Sequence, residues 1–476
     1  MRFTSLSFLV FFLLVYVVYW SFSGQFRIFF LPLVSLLFYA AWSPVFALHF
    51  LLVVIVNFAL IMKLHDRPSR GLLAAIISLD LVNLFLFKYF YLFLQTFHNL
   101  TGFALFERSN FNTWLTGETG FSSITLPLAI SFYTFQLIAY AVDTHRSVIR
   151  EKVPFREFAL FIVFFPHFVA GPIMRHSDFM HQLRNIQPDR DRMARGCFLI
   201  LTGLIKKTAL ADNLTLPVDQ IYAHPLEYSG IANLLAACGY SIRIFLDFSG
   251  YTDIARGLAN LLGLNLPENF RAPFLSRSLR ELWQSWHITL SSWIRDYLFI
   301  PLGGSRVSPW RAYLNYIVTF ALAGLWHGAN YTFLAWGIFH GVMVAAERAA
   351  RNALQTVNPI LTGEKWSAFL SFFRGLAVFL VFAAGMIFFN APDITRAFQM
   401  FSRILHMSTG LPGPTDFLLA MIAAGFFFNA LQSRLFQWKL PAEKFQYALL
   451  VLYGILTVGI LGRFAPGGGD FIYFQF

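Results

Sequence analysis

The residue in this chain with the strongest claim to chemistry is a histidine set in an apolar, aromatic run, Leu325-Trp326-His327-Gly328. Thr319 to Gly324 precede it and Ala329-Asn330-Tyr331-Thr332-Phe333 follow it. An ionisable side chain at membrane depth costs about 2.5–3.5 kcal/mol when charged, so its presence marks a site by default. Imidazole can stay neutral there and still exchange a proton near physiological pH, which makes His327 a candidate general base. The bland alternative is a hydrogen-bonded packing histidine. A second histidine, His287, lies in Trp286-His287-Ile288-Thr289-Leu290, and the residues after it run Ser291 to Tyr297. Were that stretch helical, Arg295 at +8 would share its flank and Asp296 would point away. The alternative for His287 is an interfacial residue that satisfies a helix end.

Three further polar residues interrupt an apolar helix: Asp247, Ser249 and Asp253 in Phe245-Leu246-Asp247-Phe248-Ser249-Gly250-Tyr251-Thr252-Asp253. Carboxylates within a span need partners. Arg243, four residues before Asp247, and Arg256, three after Asp253, are at helical spacing for ion pairs.

The elements that must position these groups are membrane helices. Of the 476 residues, 57% are hydrophobic, 18% aromatic and 13% charged, against about 25% charged in a soluble chain. Taking about 20 apolar residues per span, candidate segments are 5–23, 28–43, 46–62, 71–98, 124–143, 197–214, 230–262, 312–329, 331–347, 367–390, 416–431 and 444–462. The expected fold is all-α and polytopic, with about 11–13 membrane segments. The first segment has one preceding arginine, Arg2, and no small-residue cleavage pattern, so it reads as a span. A single embedded domain over 1–476 is expected: N-terminal spans 1–123, a core 124–350 with the motifs, and C-terminal spans with a tail in 351–476.

Loop charge orients the chain. Lys63, Arg67 and Arg70, then Arg146, Arg150, Lys152 and Arg156, then the arginines between 271 and 311, mark cytoplasmic loops; Asn99–Ser123 and Leu216–Gly230 hold one basic residue, Arg108. This pattern places the C-terminus outside. Phe155–Ile173 is flanked by basic residues at both ends and contains Pro166, Gly171 and Pro172, so it reads as re-entrant. Residues 263–311 are too polar to span and read as interfacial helices anchored by Trp283, Trp286, Trp293 and Tyr297. The net charge of +12 fits loops facing anionic lipid and does not call for nucleic acid. Two cysteines, Cys197 and Cys238, give no disulfide framework, and the histidines show no metal-ligand spacing.

Taken together, the motifs resemble the membrane-bound O-acyltransferase family, in its polysaccharide (alginate-type) O-acetyltransferase branch. The stretches that carry the resemblance are Leu126 to Gln136, Phe165 to Ile173, Phe245 to Asp253, Leu266-Pro267-Glu268-Asn269-Phe270, Trp286 to Tyr297, Ile300-Pro301-Leu302-Gly303-Gly304 and the His327 run. The likeness is dense from about 126 to 341 and thin in the first hundred residues. It implies that His327 is the catalytic residue and His287 a second active-site residue. It implies acetyl-CoA as donor, a polysaccharide such as alginate, cellulose or cell-wall glycan as final acceptor, and extracytoplasmic acetyltransferase partner proteins. It also implies a bacterial inner-membrane location. Gln284 and Ser285 stand where the family usually has two arginines, which leaves the partners of those arginines in doubt.

Acyl transfer to a hydroxyl requires a base and a site for the developing oxyanion. Asn330 and the Trp326 N–H are candidate oxyanion donors, with packing the alternative for Trp326. Arg295 and Arg306 are candidates to meet the donor's phosphates, with a topology signal as the alternative for each. The tail Phe471-Ile472-Tyr473-Phe474-Gln475-Phe476 follows a glycine run and resembles a C-terminal motif associated with acyl relay in the family's export systems. By that analogy Tyr473 accepts the acyl group; an aromatic interface anchor is the alternative. Two other readings stand beside this one. D-alanyl transfer to teichoic acid is the nearest enzyme. A transporter would carry no chemistry, but transporters often show inverted repeats and no repeat is visible here.

Overall fold

A computed structural model describes residues 3–119, 123–168, 171–355, 364–435 and 443–464. The described residues form helices and no strands; the two β-bridges, Tyr228 with Leu411 and Phe270 with Trp286, are isolated. Five described helical stretches are long and apolar enough to cross a membrane: Pro44–Asp66, Arg70–Thr101, Gly230–Leu261, Leu370–Asn390 and Thr415–Gln432. Shorter apolar helices run over Leu6–Ser21, Gly24–Ala40 and Leu450–Gly462. This is an all-α, multi-pass membrane protein. By backbone contacts it divides into two compact units, with a border at 186–187 inside the segment that carries the motifs.

The first unit holds residues 13–186 and 328–330. Its helices start where the sequence places caps. Ser43 accepts from the Phe46 N–H with Pro44 at the first position, and Ser69 accepts from the Leu72 N–H. The Arg70–Leu84 helix and the Phe90–Thr101 helix are joined by a π-helical turn over Phe85–Tyr89, so the whole run is continuous. Two of its buried polar residues pair across helices: Asn57 Nδ2 donates to Asp80 Oδ1 at 2.8 Å. Within the segment read as re-entrant, the helix is interrupted. A helix over Phe155–Val163 ends, and a single turn over Phe165–Phe168 follows. A side chain at Gly171 would collide with His167, its Cβ lying 2.4 Å from the His167 Cα.

The second unit holds residues 2–12, 187–327 and 331–476. Its centre is the Gly230–Leu261 helix, capped by Ser229 and buried along almost all its length. A helix buried all round must have small residues where neighbours cross closely. Here two glycine pairs do this against the Arg190–Leu204 helix: a Cβ on Gly203 would sit 2.4 Å from the Gly250 oxygen, and one on Gly257 2.6 Å from the Gly196 oxygen. Beyond that crossing, residues 205–211 form a π-helical turn that leads into the Asp212–Ala223 helix.

The buried carboxylates do not pair as expected. Asp247 is bound by Lys207 at 2.5 Å, not by Arg243; Asp253 is bound by Lys206 at 2.7 Å, in place of Arg256. Lys207 also holds Asp212 at 2.7 Å, while Arg243 reaches Asp219 at 2.6 Å. The reason is burial. Both lysines and both carboxylates are almost wholly removed from solvent, and a desolvated charge demands a direct partner on the facing helix.

Candidate active site

His327 is the last residue of the Pro309–His327 helix, and the Tyr331–Gln355 helix returns antiparallel to it. The two cross with almost no space between backbones. A Cβ on Gly324 would lie 2.1 Å from the Phe333 oxygen, one on Gly337 2.2 Å from the Phe320 oxygen, and one on Gly341 2.6 Å from the Ile317 Cα. These glycines therefore fix where His327 and the opposite helix face one another. The His327 ring is buried edge-on among Trp326 (centroids 5.0 Å apart), Trp336 (5.1 Å) and Phe389 (5.1 Å).

His287 arrives from a different direction. The stretch expected to be one helix is broken: Leu279–Ser285 ends, Trp286 and His287 turn, and Ile288–Ile294 begins. His287 is the residue at the break, with φ 43°. A non-glycine residue in the left-handed region costs about 1–2 kcal/mol. Such strain persists only where the surroundings impose it, and it clusters at functional sites. The turn is imposed by backbone bonds on each side. The Arg271 N–H donates to the Ser285 oxygen and the Ile288 N–H to the Asn269 oxygen, both at 2.9 Å.

The same asparagine sets the state of the ring. Asn269 Oδ1 accepts from the Thr289 N–H at 3.2 Å and the Thr289 hydroxyl at 2.8 Å. A backbone N–H can only donate, so the atom is the oxygen and the amide orientation is settled. His287 Nδ1 lies 3.2 Å from this oxygen and must carry the proton. Nε2 is left as the basic nitrogen. Burial pushes the His287 pKa down to about 3, so the ring is neutral at physiological pH. The ring packs on Phe248 at 4.7 Å and faces Trp326 at 6.1 Å.

The two histidines thus meet at one indole. His287 and His327 come from separate elements, both buried, and each contacts Trp326. The match of the sequence to a known family decides what this arrangement belongs to. Residues 72–374 match the membrane-bound O-acyltransferase family. The chain belongs to that family. It is 34% identical over 421 residues to a probable alginate O-acetylase of Pseudomonas aeruginosa, covering 86% of this chain and 76% of the relative. A peptidoglycan O-acetyltransferase of Helicobacter pylori is 32% identical over 78% of this chain and 72% of its own length. A teichoic acid D-alanyltransferase of Streptococcus thermophilus is 31% identical over 57% of this chain and 69% of its own length. This membrane-bound O-acyltransferase is accordingly an acyl-transferring enzyme.

Not every candidate joins the histidines. Because His287 precedes a helix and is not part of one, Arg295 does not share its flank. Arg295 opens a π-helical turn, is exposed, and chelates Asp296 at 2.7 and 3.1 Å. Arg306 is exposed in the loop before the His327 helix. Gln284 is exposed and Ser285 half-buried. Tyr473 lies outside the described residues.

Sequence reasoning passed over Asn269 and His340. Asn269 stood in a motif already singled out, but its partner is 18 residues away and no spacing rule links them. His340 is a fully buried histidine in an apolar helix, so the rule that singled out His327 applies to it equally. It sits 5.1 Å from Trp336, which also meets His327 at 5.1 Å.

Proposed function

We propose that this enzyme takes acetyl from acetyl-CoA on the cytoplasmic side of a bacterial inner membrane and passes it outward for O-acetylation of an exported polysaccharide. The observation that carries the reading is the convergence of His327 and His287 on the indole of Trp326. Names of the relatives, an alginate O-acetylase and a peptidoglycan O-acetyltransferase, support acetyl as the group and a glycan as its final acceptor. The D-alanyltransferase match covers less of the chain.

In this reading His327 removes the acceptor hydroxyl's proton as the oxygen attacks the thioester carbonyl. The C–O bond forms, the C–S bond breaks, and the proton passes from the imidazolium to the departing thiolate, giving the ester and free CoA. A positioned base of this kind is worth about 10²–10⁴-fold. His287, neutral and held by Asn269 through Nδ1, keeps Nε2 as a hydrogen-bond acceptor in the site. Arg306, and Arg295 with its Asp296 counter-charge, are the cations assigned to the donor's phosphates. Loop charge assigns the C-terminal tail to the extracytoplasmic side, and in this reading Tyr473 receives the acetyl group for transfer to an extracytoplasmic acetyltransferase partner.

The deciding experiment uses the full chain reconstituted in vesicles with radiolabelled acetyl-CoA on the basic-loop side. Acetyl-dependent CoA release, and label on protein or glycan on the opposite side, are expected. Use of a D-alanyl carrier-protein thioester in place of acetyl-CoA would overturn the acetyl assignment. Passage of a solute with no thioester consumed would overturn the enzyme reading altogether.

A further inference from the structure

Beside His327 lies a second group of polar rings that the reaction described above does not use, with Trp336 and His340 buried and Trp283 half-buried. Trp283, on the Leu279–Ser285 helix, meets His340 at 5.0 Å and Trp336 at 5.8 Å, and His340 meets Trp336 at 5.1 Å. Phe320 and Phe382 close the cluster around His340. Trp283 Nε1, Trp336 Nε1 and both nitrogens of His340 are buried without a hydrogen-bond partner. Leaving a buried polar atom unmet costs about 1–3 kcal/mol. Four such atoms meet in one cluster, and a ligand that hydrogen-bonds them would recover that cost.

We propose that Trp283, Trp336 and His340 form a subsite for an amide carbonyl oxygen in the thiol arm of the acyl donor. The inference rests on the thioester reading above. Two indoles only donate, and a neutral imidazole donates once and accepts once, so the cluster offers three donors to one acceptor. A site of that composition takes an oxygen acceptor. The rings in contact here carry neither cation nor carboxylate, which suits a neutral carbonyl and not a phosphate. Position supports the same ligand. Trp336 contacts His327 and His340 at equal centroid distances of 5.1 Å, so the subsite lies one indole away from the base. In a cysteamine thioester, two methylenes and a nitrogen separate sulfur from the amide carbonyl, so the amide follows closely behind the reacting thioester. Gly385 seats the imidazole: a Cβ there would fall 2.1 Å from His340 Nε2.

The test compares two minimal donors on the full-length protein in detergent, reading thiol release. S-acetyl-N-acetylcysteamine carries the amide; S-acetyl ethanethiol carries the thioester alone. The wild type is expected to favour the amide donor in kcat/KM by about tenfold, the worth of about one to two hydrogen bonds. Trp283→Phe, which keeps an aromatic ring, and His340→Leu should shrink that preference several-fold by slowing the amide donor only. Gly385→Ala, which displaces the imidazole without removing it, should act the same way. Equal use of the two donors by the wild type would overturn the subsite, as would variants that slow both donors alike. The latter result would mean that the rings are structural or that water alone fills their hydrogen bonds. Failure of the wild type to consume acetyl-CoA or either small thioester is a separate outcome: it removes the donor reading, and the subsite falls with it.

Discussion

Asn269 Oδ1 stands 3.2 Å from His287 Nδ1 while accepting both the N–H and the hydroxyl of Thr289, so one amide oxygen fixes the place and the tautomer of a buried histidine. Removing it should uncouple these two effects. Asn269→Ala is expected to lower acetyl transfer about 10- to 100-fold, the range for losing a group that orients a functional side chain. Asn269→Asp keeps an acceptor facing Nδ1 and adds a charge that favours imidazolium, so it should retain more activity and move the pH–rate profile upward. Matching profiles for Asn269→Asp and wild type would show that Asn269 does not act through His287.

The depressed pKa of His287 has a consequence for acid stability. Its folded value, about 3, lies below the ordinary 6.5. Between these values an unfolded chain binds a proton that the folded protein excludes, so stability falls as pH drops from about 6.5 toward 3. His287→Gln removes that proton uptake. Measured by thermal aggregation, the variant should show a weaker loss of stability between pH 6.5 and 4.5 than the wild type. Parallel curves would contradict a neutral buried imidazole.

His327→Ala should abolish acyl transfer, by about 10²–10⁴-fold, while the protein still elutes as a folded species on size exclusion. Wild-type acetylation in this variant would remove the base from His327. The control is Thr289→Ala, which should lose less activity than His287→Ala.

At the helix crossing beside His327, Gly337→Ala should damage the fold as well as the rate. Its Cβ would meet a backbone oxygen at 2.2 Å, and overpacking of this kind costs about 1–3 kcal/mol. A lowered melting midpoint together with reduced transfer is expected. Gly459→Ala, with nothing within 4 Å of its Cβ, should leave both unchanged.

Tyr473→Phe keeps the aromatic ring and deletes the hydroxyl. If the tail relays acetyl, polymer acetylation should be lost while donor binding and thiol release at His327 persist. Intact-mass analysis of the wild type incubated with donor should find an acetyl adduct on the tail. An active Tyr473→Phe protein with no adduct in the wild type would leave direct transfer at His327.

The sequence by itself determined the class and the family, and it singled out the two histidines as candidates. Membrane partition depends on runs of apolar residues, and such runs are contiguous in the chain. The His287 and His327 motifs are also contiguous strings, so both were legible. What only the tertiary structure decided were partners brought together from distant positions. Local spacing assigned Arg243 and Arg256 to Asp247 and Asp253, because helical neighbours are all that one segment offers. The fold instead brings Lys206 and Lys207 from another helix, past two glycine pairs and onto a π-helical turn. It likewise breaks the helix expected through His287, hands its ring to Asn269, and gathers Trp283, Trp336 and His340 near His327. Burial sets these choices. Once water is excluded, each charge and each ring nitrogen must be met by whichever group the packing places within reach.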